Sequence, residues 1–244
     1  MPAPTNGLIL FWNMETLSGA QMDDLSPTEN NGTITGTADK AGQIGRSRGF
    51  DGVDDQVVAA STPATSASYT ILAWLRPKVT GSNLPISMDA IGLNYFSHGI
   101  SSANKFTHVL RETGFSRQIT SANTYATGAF YHVAGRYNGD KVYLFVNGVT
   151  AASAASAGGT FTWNSFRIGQ RVGGLNLFTG DIDELRVYSR PLSLSEISDV
   201  YNDMTQYPVA APGKVDFGEL SRPLRPFRRV NRWSTMRKTE FQYR

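Results

Sequence analysis

The chain has 244 residues, 40% hydrophobic and 18% charged, with 24 glycines and no cysteine. That balance describes a turn-rich globular protein with enough apolar side chains for a core, and it excludes a disordered chain, a disulfide framework and cysteine-based zinc sites. The net charge of +3 averages two unlike parts, because residues 207–244 hold nine Lys/Arg against three Asp/Glu and the preceding residues hold fourteen against seventeen.

No run approaches the roughly 20 consecutive apolar residues of a membrane span. The opening Met-Pro-Ala-Pro-Thr-Asn lacks the basic-then-apolar pattern of a signal peptide, so cytosolic synthesis is expected. From Gly7 to about Tyr188, short β-prone runs alternate with Gly, Asn, Asp and Ser clusters, which is the pattern of an all-β domain. Expected strands are Leu8–Asn13, Gln56–Ala59, Tyr69–Pro77, Leu93–Ser97, Lys105–Arg111, Tyr131–Tyr137, Lys141–Val146, Ser165–Gly169 and Asp181–Tyr188. In Tyr69–Leu75, Tyr69, Ile71, Ala73 and Leu75 share one face while Leu72 and Trp74 share the other. A strand apolar on both faces belongs in the middle of a layered sheet. Asn138-Gly139-Asp140 joins two aromatic-rich strands as a hairpin, since Asn and Gly tolerate positive φ. Residues 150–159 are small and read as a surface loop.

One short helix is expected over Ser193–Asn202, with Ser193 and Glu196 forming a capping box and Leu194, Ile197 and Tyr201 an apolar stripe. Tyr207-Pro-Val-Ala-Ala-Pro-Gly then breaks regular structure, placing a boundary near residue 206: a sandwich over 1–206 and an extended basic arm over 207–244.

Four segments in register carry a family resemblance. They are Asp24-Leu-Ser-Pro-Thr-Glu-Asn-Asn-Gly-Thr-Ile, Phe50-Asp-Gly-Val-Asp-Asp-Gln-Val, Tyr131 through Gly148, and Phe178-Thr-Gly-Asp-Ile-Asp-Glu-Leu-Arg-Val-Tyr onward to Ile197. Together they resemble the laminin-G-like, concanavalin A-like jelly-roll family found in bacterial and viral proteins. The resemblance implies a sandwich of two antiparallel sheets over about residues 7–204, with functional loops along one edge, and no particular ligand. It also implies a Ca²⁺ ion bridging the early Asp loop and the closing strand, with Asp24, Asn30, Asn31 and Asp183 as ligands. Pro27 and Leu25 depart from the family's loop pattern.

Other chemistry is weighed on the residues themselves. Glycoside hydrolysis needs two carboxylates across the scissile bond. Asp183 and Glu184 are adjacent, hence expected on opposite strand faces, and Asp181 and Asp183 share a face without a third carboxylate, so an enzyme is not expected. The Asp51-Gly-Val-Asp54-Asp55 segment reads as a plain turn. His98, His108 and His132 are too separated in sequence to suggest a metal cluster, and His132 reads as a packing residue. Trp12 and Trp74 read as core, whereas Trp163 with Asn164, after a Gly-rich stretch, is the candidate glycan platform. In the arm, Phe227, Arg228, Arg229, Arg232, Trp233, Arg237 and Lys238 interleave aromatics with cations, a composition for docking on a partner, with nucleic acid as the alternative. The resulting expectation is a non-enzymatic virion protein, a bacteriophage capsid decoration or tail component. Its lectin-like domain faces host-surface glycan, its arm binds other virion proteins, and it is oligomeric in the assembly. The alternative is a calcium-assisted adhesin outside the cell or at its surface.

Overall fold

The computed structural model describes residues 2–203 apart from 17–18, 60–63, 80, 82, 90–94, 113–114, 157–160, 164, 172–173 and 175. The whole arm, with every docking residue named above, and Asn164 therefore lie outside the described residues.

In chain order the strands are β1 (Leu8–Trp12), β2 (Gln21–Met22), β3 (Gly32–Thr35), β4 (Ala38–Ala41), β5 (Arg46–Asp51), β6 (Gln56–Ala59), β7 (Ala64–Ser66), β8 (Tyr69–Pro77), β9 (Asn83–Asp89), β10 (Tyr95–Ile100), β11 (Phe106–Glu112), β12 (Phe115–Thr120), β13 (Tyr131–Tyr137), β14 (Lys141–Val146), β15 (Val149–Ala155), β16 (Phe161–Trp163), β17 (Ser165–Ile168) and β18 (Thr179–Tyr188). The helix is α1 (Leu194–Asn202). One antiparallel sheet runs β15-β14-β13-β8-β18-β5-β4 with β1 also on β18, a second runs β12-β11-β10-β9-β17-β6-β3-β2, and β7 pairs with β16.

Alternation in β8 decides what lies on each side of the first sheet. Tyr69, Ile71, Ala73 and Leu75 enter the large core between the sheets with Leu10, Trp12, Val57, Phe106, Phe166 and Ile182. Burial of each large aliphatic or aromatic side chain among them contributes about 2 kcal/mol. Leu72 points the other way and joins Ala134, Phe145, Tyr188, Leu192, Ile197 and Val200 in a second cluster under α1. The second apolar face of β8 is therefore covered by the helix. Ser193 caps α1 with both halves of the capping box formed, the Glu196 N–H donating to Ser193 Oγ at 3.2 Å and the Ser193 N–H to Glu196 Oε2 at 2.8 Å. The expected stripe shifts by part of a turn: Leu194 is exposed and Val200 is buried in its stead.

Residues 150–155 are not a loop. Asn147 (φ 51) and Gly148 (φ 76) form a two-residue turn that makes β15 the third strand of a meander after β13 and β14. The β10 strand extends through Ile100, and the start expected at Leu93 lies outside the described residues.

Candidate functional site

β18 carries the acids that the sequence singles out. Its register with β8 runs Asp181↔Arg76, Ile182↔Leu75, Asp183↔Trp74, then shifts so that Arg186 faces Leu72. Ile182 and Leu185 are in the core, so the strand gains a residue at Glu184, whose φ is 52°. The bulge overturns the expectation that Asp183 and Glu184 part onto opposite faces. Glu184 reaches the outer face and accepts from Arg186 Nη2 at 2.7 Å.

All three acids are sealed. Asp181 is fully buried between two cations, with Arg76 Nε at 2.6 Å and Lys78 Nζ at 2.9 Å. Asp183, also fully buried, lies under the β4–β5 turn, accepting the Ile44 N–H at 2.9 Å on Oδ2 while Oδ1 has no hydrogen-bond partner among the described residues. Burial pushes its carboxyl well above the usual range, and the charges of Glu184 and Glu15 add to the rise. Glu184 is pushed up to about 7, by burial first and against the pull of Arg186, and its Oε1 is likewise buried without a partner. Glu15, whose Oε1 accepts the Arg46 N–H at 2.8 Å, is the neighbour that sequence reasoning missed. It is far from β18 in the chain and belongs to no spacing pattern.

The Asp24 loop turns inward on itself. Asp24 Oδ1 accepts the N–H groups of Phe11 at 2.7 Å and Ser26 at 2.9 Å, and Oδ2 accepts from Ser26 Oγ and the Asn30 N–H, both at 2.7 Å, and from Thr28 Oγ1 at 3.3 Å. Asn31 Oδ1 accepts the Asp24 N–H at 2.8 Å, and the Asn30 carbonyl accepts from Trp12 Nε1 at 3.1 Å. Asp24, Asn30 and Asn31 are thus engaged in holding their own loop on β1. Among the described residues, one group of three carboxylates lies with oxygens within 4.8 Å: Asp51, Asp54 and Asp55, in the turn read from sequence as plain. There Asp51 Oδ1 accepts from the Val53 N–H and Asp55 Oδ2 from the Asp51 N–H, as turn acids do.

His98 and His108, ten residues apart, meet in the core with their Nδ1 atoms at 3.1 Å. The Ile71 carbonyl facing His98 Nε2 requires that nitrogen to donate, so in neutral rings His98 Nδ1 accepts from His108 and His108 Nε2 accepts from Tyr69 Oη at 2.9 Å. His132 sits on the other face of the sheet, its ring 5.3 Å from Trp74 and 5.7 Å from Tyr201. Burial lowers it to about 3, with Arg186 and His98 contributing, and neither ring nitrogen has a partner. Trp12 and Trp74 are buried. Trp163 lies in β16, at the edge ribbon, and its side chain is outside the described residues.

Two eight-stranded antiparallel sheets, closed by a central bulged strand and a capped helix, define a lectin-like β-sandwich. Residues 50–198, more than half of the chain, match the concanavalin A-like lectin/glucanases superfamily, and the chain belongs to that family. Human usherin is 25% identical over 150 residues, which is 58% of this chain and 3% of usherin. The binding domain of Paraclostridial Mosquitocidal Protein 1 superposes with a TM-score of 0.64 at 15% identity, over 80% of this chain and 52% of that one. The botulinum neurotoxin serotype G binding domain gives 0.64 at 15%, over 80% and 50%. Domain 4 of AbnA, an extracellular arabinanase of Geobacillus stearothermophilus, solved with arabinotriose, gives 0.63 at 19%, over 81% of this chain and all of that one. The chain thus spans a small part of usherin and about half of the two toxin structures. At these identities the structural matches speak to fold.

Proposed function

We propose that the sandwich is a non-catalytic carbohydrate-recognition module held on a larger assembly by its basic C-terminal arm. The observation that carries the proposal is the sealing of the β18 acids: Asp181, Asp183 and Glu184 are 0%, 0% and 3% exposed. A glycosidase needs an acid and a base or nucleophile open to the sugar on either side of the scissile bond. Here the same positions clamp two cations, a turn and an arginine. The binding-domain relatives and the arabinotriose complex support recognition as the use of the fold. A glycan array probed with the full chain tests this: retained glycans that release no new reducing ends on incubation support it, and either hydrolysis or an array without any retained glycan overturns it.

The assembly half of the proposal is a virion, and the charge split supports it. A net −3 body followed by a +6 arm with six aromatics suits a domain displayed outward from an anchored tail. Mass spectrometry of particles purified from the source reads this directly, because a virion component appears there at stoichiometric copy number.

Calcium is part of the proposal, with Asp183 among its ligands. The donors are oxygens only, which suits a hard cation. The buried, unpartnered Asp183 Oδ1 and Glu184 Oε1 are the atoms an ion would satisfy, and its charge would stabilise the ionised form of both carboxyls.

A further inference from the structure

On the outer side of the first sheet, where β1 pairs with β18, a cleft of about 240 Å³ opens between the N-terminal segment and the Asp24 loop. Pro4, Leu8, Phe11 and Leu25 form its apolar part, beside Ala3 and Thr5. Tyr188 also lines it, with its hydroxyl already donating to the Pro4 carbonyl at 2.9 Å. The floor is Arg186, 2% exposed, its guanidinium 4.3 Å from the centroid of the Phe11 ring. Glu184 is its one acceptor among the described residues, which leaves the other guanidinium N–H groups available at the base of the cleft.

Leu25 is the second, independent feature. It is 47% exposed, yet it rides on a loop held firmly by the five bonds to Asp24, and its own N–H donates to the Phe11 carbonyl at 2.9 Å. A large apolar side chain fixed at the rim above buried donors is the combination of apolar wall and oriented polar group that small-ligand sites use.

Charge decides the ligand class. Arg186 is already paired with Glu184, Asp24 holds the backbone of Phe11, and Asp203 Oδ2 accepts the Ala3 N–H at 3.0 Å. An anion would have to compete with Glu184 for the guanidinium, a cation would meet the guanidinium, and a bare ring hydroxyl would leave Pro4, Leu8, Phe11 and Leu25 uncovered. An uncharged acceptor carrying a methyl group fits all of these. We propose that this cleft is the subsite for the acetamido group of an N-acetylated sugar, with its carbonyl oxygen accepting from Arg186 and its methyl packing on Phe11 and Leu25. The proposal rests on the carbohydrate reading above and sharpens it.

The test uses the full chain and titration calorimetry or ligand-observed NMR with the N-acetylglucosamine trimer, an N-acetylgalactosamine glycoside, the glucose trimer and a glucuronic acid trimer. Leu25→Trp fills the cleft from an exposed position and spares the fold, which a melt checks; Leu25→Ser removes a wall as a second variant. The expected result is binding of at least one N-acetylated probe, at least about tenfold weaker binding of the glucose and glucuronic acid probes, and a similar loss for both variants at unchanged melting temperature. Equal binding of acetylated and plain probes, tighter binding of the acidic one, no binding of either acetylated probe, or insensitivity to both Leu25 variants overturns the proposal. Glycan binding that survives Leu25→Trp removes this subsite and leaves the carbohydrate reading standing. An array on which nothing is retained removes both.

Discussion

Asp183 accepts the Ile44 N–H at 2.9 Å across 139 residues of sequence, and its second oxygen is buried with no partner. Asp183→Asn keeps an acceptor for Ile44 and removes the charge. In chelator the variant is expected to melt at or above the wild type, because a carboxyl that burial disfavours in its ionised form is gone. Added calcium is expected to raise the wild-type melting temperature and leave Asp183→Asn unmoved. A wild-type melt indifferent to calcium and chelator would remove the ion from Asp183.

Asp24→Ala is expected to behave differently, lowering stability by about 2–3 kcal/mol with or without calcium. It strands several buried donors that the carboxylate now satisfies. Denaturant melts in both conditions read the difference.

His132 and Glu184 titrate in opposite senses. His132 is lowered from 6.5 to about 3, so its contribution is present above pH 6.5 and is lost as pH falls toward 3. Glu184 is raised from 4.5 to about 7, so its contribution is present below pH 4.5 and is lost as pH rises through 7. Each is worth about 2 kcal/mol between pH 7 and pH 5. Relative to the wild type, His132→Phe should gain about that much on acidification over this range, and Glu184→Gln should lose it. Urea melts at the two pH values check both; parallel shifts in the same direction would contradict the assignment.

Glu196 does two jobs at once. Its oxygens take both prongs of Arg190, at 2.6 and 3.0 Å, and one also accepts the Ser193 N–H. The paired guanidinium holds its carboxyl at about 2, so this support persists from above pH 4.5 and fades only as pH falls through 2. Glu196→Ala is expected to cost about 1–2 kcal/mol at neutral pH, and a double-mutant cycle with Arg190→Ala should assign part of that to the helix cap alone.

The arm separates two kinds of docking. Trp233→Ala or Phe227→Ala is expected to release the protein from its assembly at physiological salt, since buried aromatics dominate interface energies. Retention of those variants, with loss of the wild type in moderate salt through Arg228, Arg229, Arg232, Arg237 and Lys238, would indicate nucleic acid or an acidic surface.

How legible this was in the sequence varies by element, for physical reasons. β8, β13, β14, β18 and the capped helix announce themselves through two-residue alternation, a Ser-x-x-Glu box and long aromatic runs. β15 hid because Val149–Ala155 is composed of small side chains, and its signal lay in Asn147-Gly148, whose positive φ values make the turn. The bulge at Glu184 was invisible because one inserted residue leaves the local pattern intact while reversing which face a carboxylate meets. The Glu15 and Ile44 contacts to β18 come from distant segments, and no local spacing encodes them. Asp24 was recognised as special, and the backbone N–H groups it collects are a role that no residue spacing encodes.

The central place of β18 also dictates when this protein can fold. Among the described residues β1 has β18 alone as a sheet partner, β5 and β8 flank β18 on either side, and the Ala3 N–H is held by Asp203, 200 residues downstream. During synthesis the first strand must wait, unpaired, until nearly the whole sandwich has left the ribosome. The earlier strands meanwhile can form hairpins but not the finished first sheet. Folding of this sandwich is therefore late, with a slow, long-range closing step, and a nascent chain stalled before residue 179 exposes the apolar edges of β5 and β8 to any neighbour.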